Sequence, residues 1–420
     1  MKPKILTTLP TYTGRLFLSD LIAGGTVAMV ALPLSIAIAI ASGATPAVGL
    51  VTAVVAGFII SLLGGSRVQI GGPTGAFIVV VFAIIAEHGY DGLVLATLMA
   101  GVILLIAGFL RAGSLVAHVP EAVIDGFTVG IAVIIAASQL KDFFGLDVSS
   151  LPADFVPKMA ALFAARETAS LAAAGVGVAT AILIVVIRRI APAFPGAIVA
   201  VALTSGAAAF FNLDVATIAS SFGELPSSLP MPQLPSISVD RLVELLPSAL
   251  VIAFLAGVES LLSAMVADRM IEDHHRPNAE VIAQGAANIG SALFGGLPAT
   301  GAIARTATNI RAGGKTPVAG IVHAVAVLAA MMLFAPLVGQ LALPALAALL
   351  IVTAWNMSEP HRWGARFAAR PSDRYLIAQT LLLTVFADLS IAIGAGVAIG
   401  LALRLKQRNA PPADWTPPDR

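Results

Sequence analysis

Arg305 and Glu259 draw attention first, because each is ionisable and each lies well inside an expected membrane segment. A charge at membrane depth costs at least ~2.5–3.5 kcal/mol on insertion scales, so it is kept for a function or a partner. Arg305 comes two residues after "GGLPATGAI" (Gly295–Ile303). An altered form of that motif, "GGPTGAF", occupies Gly71–Phe77 with no arginine after it. Glu259 sits in "FLAGVESLLSA", with Ser263 one turn further along the same helical face. Burial favours a protonated carboxyl, which suits a proton carrier, whereas a nearby arginine favours the charged form. The sequence leaves Glu259 open between a coupling site and a plain neutraliser of Arg305, and Ser263 would add a hydroxyl to the same cavity.

The two motifs have their own chemistry. Glycine and proline stop an upstream helix and permit an extended approach. The apolar run that follows, Ala76–Ala86, is about eleven residues, half a bilayer at ~1.5 Å per residue. Gly301–Arg311 is similarly short and more polar. Irregular backbone at membrane depth survives only where it is buried in protein or lines a cavity. Each half-helix would therefore start near the midplane, with unpaired N–H groups that favour an anion. Two such termini contribute about half a charge each, and Arg305 brings the total to roughly +2. That balance suits a divalent anion, a dicarboxylate or sulfate.

Membrane helices must hold these residues. Of 420 residues 58% are hydrophobic and 11% charged, with mean hydropathy +0.95, too little charge to cover a water-soluble surface. The spacing predicts about fourteen membrane segments. Their limits are 20–41, 47–63, 75–87, 91–110, 121–140, 168–187 and 195–211, then 243–267, 279–294, 301–312, 317–338, 343–357, 374–387 and 389–405. With the N-terminus inside, only Lys141, Lys158, Arg166 and Arg241 fall outside, and the other Lys and Arg, apart from Arg305 within a span, gather on the cytoplasmic side. Both termini are then cytoplasmic in a cell inner membrane. The opening stretch lacks a signal-peptide core and cleavage site.

The Pro- and Ser-rich stretch "FGELPSSLPMPQLPSISVD" divides the chain: 1–211 is a first repeat, 212–242 an external linker, 243–405 a second repeat and 406–420 a cytoplasmic tail. Each half has seven segments, and an odd number makes the repeats face opposite ways, the inverted plan of secondary transporters. The motif copies fall in the third segment of each half. One copy alone reads as a kink. Two at matching positions read as paired half-helices.

Other polar residues carry less. Asp20 and Asp125 read as boundary or capping residues, and Asp388 as an N-cap. The run "EDHHRP" from Glu272 reads as a solvated turn. "GGKTP" at Gly313 is not a phosphate loop, because Asn309 stands where its first glycine belongs. No H-E-x-x-H, G-x-S-x-G or other catalytic set occurs, so an enzyme is not expected, and nothing calls for a cofactor or metal. The absence of cysteine excludes thiolate chemistry and disulfides, and a net charge of +1 does not point to nucleic acid.

Four stretches resemble the sulfate permease family of anion transporters: "DLIAGGTVAMVALPLSIAIAIASGATPAVGL" from Asp20, "GGSRVQIGGPTGAF", "VIDGFTVGIAVIIAASQL" and "AEVIAQGAANIGSALFGGLPATGAIARTATNIRAGGKTPVAGIV". The resemblance covers residues 15–405. It implies an all-α, seven-plus-seven inverted-repeat membrane fold shared with uracil transporters. Segments 1–4 and 8–11 would form a moving core, and segments 5–7 and 12–14 a gate. It also implies a substrate site at Thr74, Gly75, Ala76 and Phe77 and at Thr300, Gly301, Ala302 and Arg305, with Glu259 beside it. Leu34 and Ala304 stand where family members often have Gln and Ser. The family usually ends in a cytoplasmic STAS domain, whereas this sequence stops at "PPADWTPPDR". The expected partners are a small anion, a coupling proton or sodium, the bilayer and, as an open option, a second copy in a homodimer.

Overall fold

The structure is a computed structural model that describes residues 2–113, 121–148, 151–191, 194–387, 395, 398 and 399. It is mainly helical. The first part comprises α1 (Lys4–Thr8), α2 (Gly14–Ala41), α3 (Pro46–Leu63), strand β1 (Gly71–Gly72), α4 (Ile78–Phe109), α5 (Glu121–Phe144), α6 (Phe155–Ala164), α7 (Leu171–Ile190), α8 (Gly196–Phe210) and α9 (Ile218–Phe222). Then come α10 (Val239–Ile271), α11 (Pro277–Leu293), β2 (Thr300–Gly301), α12 (Ile303–Arg311), α13 (Pro317–Gly339), α14 (Leu343–Met357), α15 (Trp363–Ala368) and α16 (Pro371–Phe386). Among the described residues seven helices are long and apolar enough to cross a membrane: α2, α3, α4 with the turn before it, α5, α7, α10 and α13.

Local chemistry sets the helix ends. The side chains of Thr13, Ser170, Ser238 and Thr316 accept N–H groups in the first turns of α2, α7, α10 and α13. Proline opens α3, α11 and α13, where its missing N–H has no helical partner to lose. Asp20 caps a different helix from its own. Its carboxylate accepts the N–H groups of Lys315 and Thr316 at 2.9 and 3.2 Å, which ties α2 to the start of α13. The "GGKTP" turn is thus held as a helix entry.

Two expected boundaries shift. The third and fourth segments join as one helix, α4, with a break at Gly89, whose φ of 70° and ψ of 179° are non-helical. The segment expected at 243–267 is lengthened at both ends into α10, and Pro247 is accommodated within it. The connection between α5 and α7 holds α6, on which Lys158 is buried with its ammonium 5.1 Å from the Phe82 ring centre. The last expected segment, Asp388 and the tail lie outside the described residues, apart from 395, 398 and 399.

The helices pack in two groups. One contains α2, α3, α4, α10, α11, α12 and α13. The other contains α5, α7, α8, α14 and α16, and contacts between the groups are sparser. Within the first group α4 and α11 approach until a Cβ on Gly101 would lie 2.8 Å from the Gly285 carbonyl oxygen. Close backbone approach at small residues is how helices gain packing in lipid, where no hydrophobic drive separates helix from tail.

Candidate functional site

The two motif copies meet in the middle of the first group. Strands β1 and β2 pair antiparallel, Gly71 opposite Gly301 and Gly72 opposite Thr300. Thr74 leads into a 3-10 turn at Gly75–Phe77 and then α4, while Ala302 is the N-cap of α12. Two helices therefore start at the crossing, where the Phe77 N–H donates to the Thr74 carbonyl at 3.2 Å and the Ala302 N–H to the Ile70 carbonyl at 2.8 Å, so those two expected anion donors are already paired. Thr74, Gly75, Ala76, Phe77, Thr300, Gly301 and Ala302 are all buried there. Ile303 and Ala304, the first residues of α12, are exposed.

A polar frame supports this irregular backbone. Thr306 Oγ1 accepts the Ile70 N–H at 3.0 Å, and Asn309 donates to the Val68 carbonyl at 2.8 Å. Asn288 both accepts from and donates to the Ala299 backbone, each at 2.9 Å. Thr52 accepts the Leu297 N–H, and Thr300 donates to the Ala256 carbonyl. Each backbone group left unpaired in hydrocarbon would cost several kcal/mol, so these side chains are what allow the helices to break at depth.

Arg305 is 1% exposed. Its Nη2 donates to Ser35 Oγ at 3.0 Å and to the Pro73 carbonyl at 3.1 Å, so the guanidinium lies beneath the opposite motif copy. Gly72 makes room for it: φ is +148°, and a Cβ there would stand 2.4 Å from Nη1. Nε and Nη1 have no hydrogen-bond partner among the described residues. No ion pair joins Arg305 to any carboxylate among the described residues.

Glu259 does not neutralise Arg305 directly. Its Oε2 accepts the Thr74 hydroxyl at 2.9 Å, which links α10 to the first motif copy. The Ser263 hydroxyl lies 3.4 Å from Thr306 Oγ1, against α12. Asp125 pairs with Arg366 at 2.8 Å, outside this centre. The "EDHHRP" turn is also tied down, since Asp273 pairs with Lys4 at 2.9 Å and the Arg276 guanidinium donates to the Lys2 carbonyl.

Sequence reasoning missed Ser35, Gln69, Glu280, Asn288 and Asn309. A signal existed for part of this set: Glu280, Gln284 and Asn288 recur every fourth residue on α11, one buried polar face in an apolar segment. Nothing local marks Ser35, whose role comes from a contact 270 residues away.

A family model for the sulfate permease family matches residues 17–376. The chain belongs to that family. The putative sulfate transporter YvdB of Bacillus subtilis (strain 168) is 43% identical over 399 residues, covering 95% of this chain and 75% of that protein. The bicarbonate transporter BicA of Picosynechococcus sp. is 31% identical over 406 residues, covering 93% and 70% respectively. The solved transmembrane domain of a cyanobacterial BicA superposes with a TM-score of 0.82 at 30% identity, over 92% of this chain and 98% of that one. SLC26A9 gives 0.87 at 18% identity over 96% and 68%, a likeness of fold. This sulfate permease family member is a multi-pass membrane protein of the anion transporter class.

Proposed function

We propose that the protein is a secondary active transporter of small divalent anions, a dicarboxylate such as fumarate or else sulfate, working by proton-coupled symport. The observation that carries this reading is Arg305, a buried cation with no carboxylate partner among the described residues, where two helix starts converge. A fixed positive charge in a low-dielectric site is costly with only two dipolar acceptors on one nitrogen, and a bound anion relieves that cost. The anion sits against Thr74, Gly75, Ala76 and Phe77 on one side and Thr300, Gly301 and Ala302 on the other, with Arg305 supplying the field from behind. Glu259 carries the coupling proton, and its bond to Thr74 ties protonation to the first half-helix. Ser263, one turn further along α10, adds its hydroxyl beside Thr306 of the second half-helix, α12.

Alternating access follows from two seven-segment inverted repeats, with the α2–α4 and α10–α13 group moving against the α5–α8 and α14–α16 group. The antiparallel crossing and the two packing groups support that division. The excess of Lys and Arg favours both termini in the cytoplasm of a cell with this protein in its inner membrane.

Uptake of radiolabelled sulfate and fumarate into proteoliposomes under an inward proton gradient tests the reading. Accumulation should collapse without the gradient and should fall at least tenfold in Arg305→Ala. Uptake indifferent to both changes would sink it. A sodium-coupled bicarbonate transporter is the second reading, favoured by the likeness to BicA. Replacing Na⁺ by K⁺ separates the two, since only sodium coupling loses bicarbonate uptake. Current far above transporter turnover in a planar bilayer would instead show a channel.

A further inference from the structure

Behind the strand crossing lies a second buried charge, of opposite sign. Glu280 on α11 is fully buried, and among the described residues no Lys, Arg or His stands within ion-pair distance of it. Its Oε2 accepts the Gly65 N–H at 2.9 Å. Its Oε1 accepts the Gln69 amide at 3.0 Å, the Ser260 hydroxyl at 2.9 Å and the Gln284 amide at 2.8 Å. Ser260 Oγ in turn accepts from both amides at 2.8 Å. An ionised carboxylate only accepts hydrogen bonds, and this set of converging donors suits that form. The donors also offset the heavy cost of burying a charge without a counter-ion.

The cluster abuts the proposed anion site. Gln69 stands two residues before β1. A Cβ on Gly301 would lie 1.7 Å from Gln69 Nε2 and 3.1 Å from Ser260 Oγ, so the β2 backbone rests directly on the Glu280 network. Ser260 follows Glu259 in α10. The carboxylate of Glu280 is therefore one hydrogen bond behind the place where Arg305 and the two helix starts converge.

We propose that Glu280 is a fixed counter-charge that sets how strongly the site discriminates between anions of different charge. It lowers the positive potential of the socket, which weakens binding of every anion and weakens it most for a divalent one. A transporter needs that restraint: a well too deep for entry and exit alike holds its passenger. This inference rests on the anion-site reading above.

A potential acts on a dianion with twice the energy it exerts on a monoanion, so fold-changes in affinity should be related by a square. In Glu280→Gln, the KM for bicarbonate should fall about threefold and that for sulfate about tenfold, with kcat for sulfate lowered by slower release. Gln284→Leu, which keeps the charge and removes one donor, should leave the ratio of the two KM values unchanged. The exchange Glu280→Gln with Gln69→Glu keeps one carboxylate and one amide in the network and moves the charge toward Gly301. It should raise the sulfate KM as the square of its effect on bicarbonate, and it serves if the single variant does not fold. Equal fold-changes for the two anions, or a ratio shifted as much by Gln284→Leu, overturn the inference while leaving the anion site standing. Fumarate replaces sulfate in the comparison if it is the divalent anion taken up, and a wild-type protein that takes none of the three anions overturns both.

Discussion

Arg305 meets its surroundings through one nitrogen, Nη2, which bridges a serine on α2 and a carbonyl of the opposite motif copy. Lysine has the charge but neither the fork nor the planar shape that fits beneath Gly72. Arg305→Lys should therefore recover less than a tenth of wild-type uptake, whereas Ser35→Ala should cost only severalfold, measured as initial rates in proteoliposomes. Gly72→Ala is expected to be as damaging as loss of the arginine, because its Cβ would collide with Nη1 and its φ is unsuited to a side chain. An active Gly72→Ala protein would show that the guanidinium has another place to go. Glu259 should separate binding from coupling: Glu259→Gln keeps the hydrogen bond to Thr74 and carries no proton. It should still show anion-dependent thermal stabilisation while losing its response to an imposed proton gradient.

At the scale of elements, helix breaks in the membrane depend on side chains brought from elsewhere. Asn288 serves both the N–H and the carbonyl of Ala299, so Asn288→Leu strands two buried backbone groups. The cost should be about 2–6 kcal/mol, taking ~1–3 kcal/mol for each group, visible as a lower melting temperature in detergent. The N-terminal helix shows a weaker attachment. Burial pushes the Asp273 carboxyl up, but the Lys4 hydrogen bond and the nearby charges of Lys4 and Arg67 outweigh it and hold the group below its usual range. A value lower when folded than unfolded stabilises docking above the unfolded value of about 3.9, and that contribution fades as pH falls through the folded value. Because the chain has no cysteine, a spin label on Thr7→Cys reports this directly. The label should be restrained at pH 7 and freed in strong acid or, at pH 7, by Asp273→Asn. Equal mobility in all three conditions would show that the pair does not hold α1.

For the molecule as a whole, the two packing groups must move against each other if transport proceeds by alternating access. Gly75 belongs to the first group's motif, and a Cβ there would lie 3.0 Å from Met357 Sδ at the end of α14. Oxidising a Gly75→Cys, Met357→Cys pair should stop uptake, and reduction should restore most of the double variant's own activity. Each single variant should be insensitive to the oxidant. Full cross-linking with undiminished uptake would mean that these two groups need not separate.

Composition and hydropathy alone determined that this chain crosses a membrane many times, because a run of apolar residues has few other places to go. Motif spacing was enough to mark two helix starts, at Gly75 and Ile303, since glycine and proline act on their own backbone and leave a local mark. Glu259 was legible because a charge in an apolar run is conspicuous wherever it folds, and Arg305 because it follows the second motif copy, in an expected membrane segment. Only the tertiary structure decided how those charges are compensated. Arg305 turned to Ser35 and Pro73 and Glu259 to Thr74, while Glu280 collected Gly65, Gln69, Ser260 and Gln284. Apart from Gln284 and Ser260, those partners come from segments about 185 to 270 residues away in the chain. Whether a buried charge is neutralised or left to act on an anion depends on distances that no local pattern encodes.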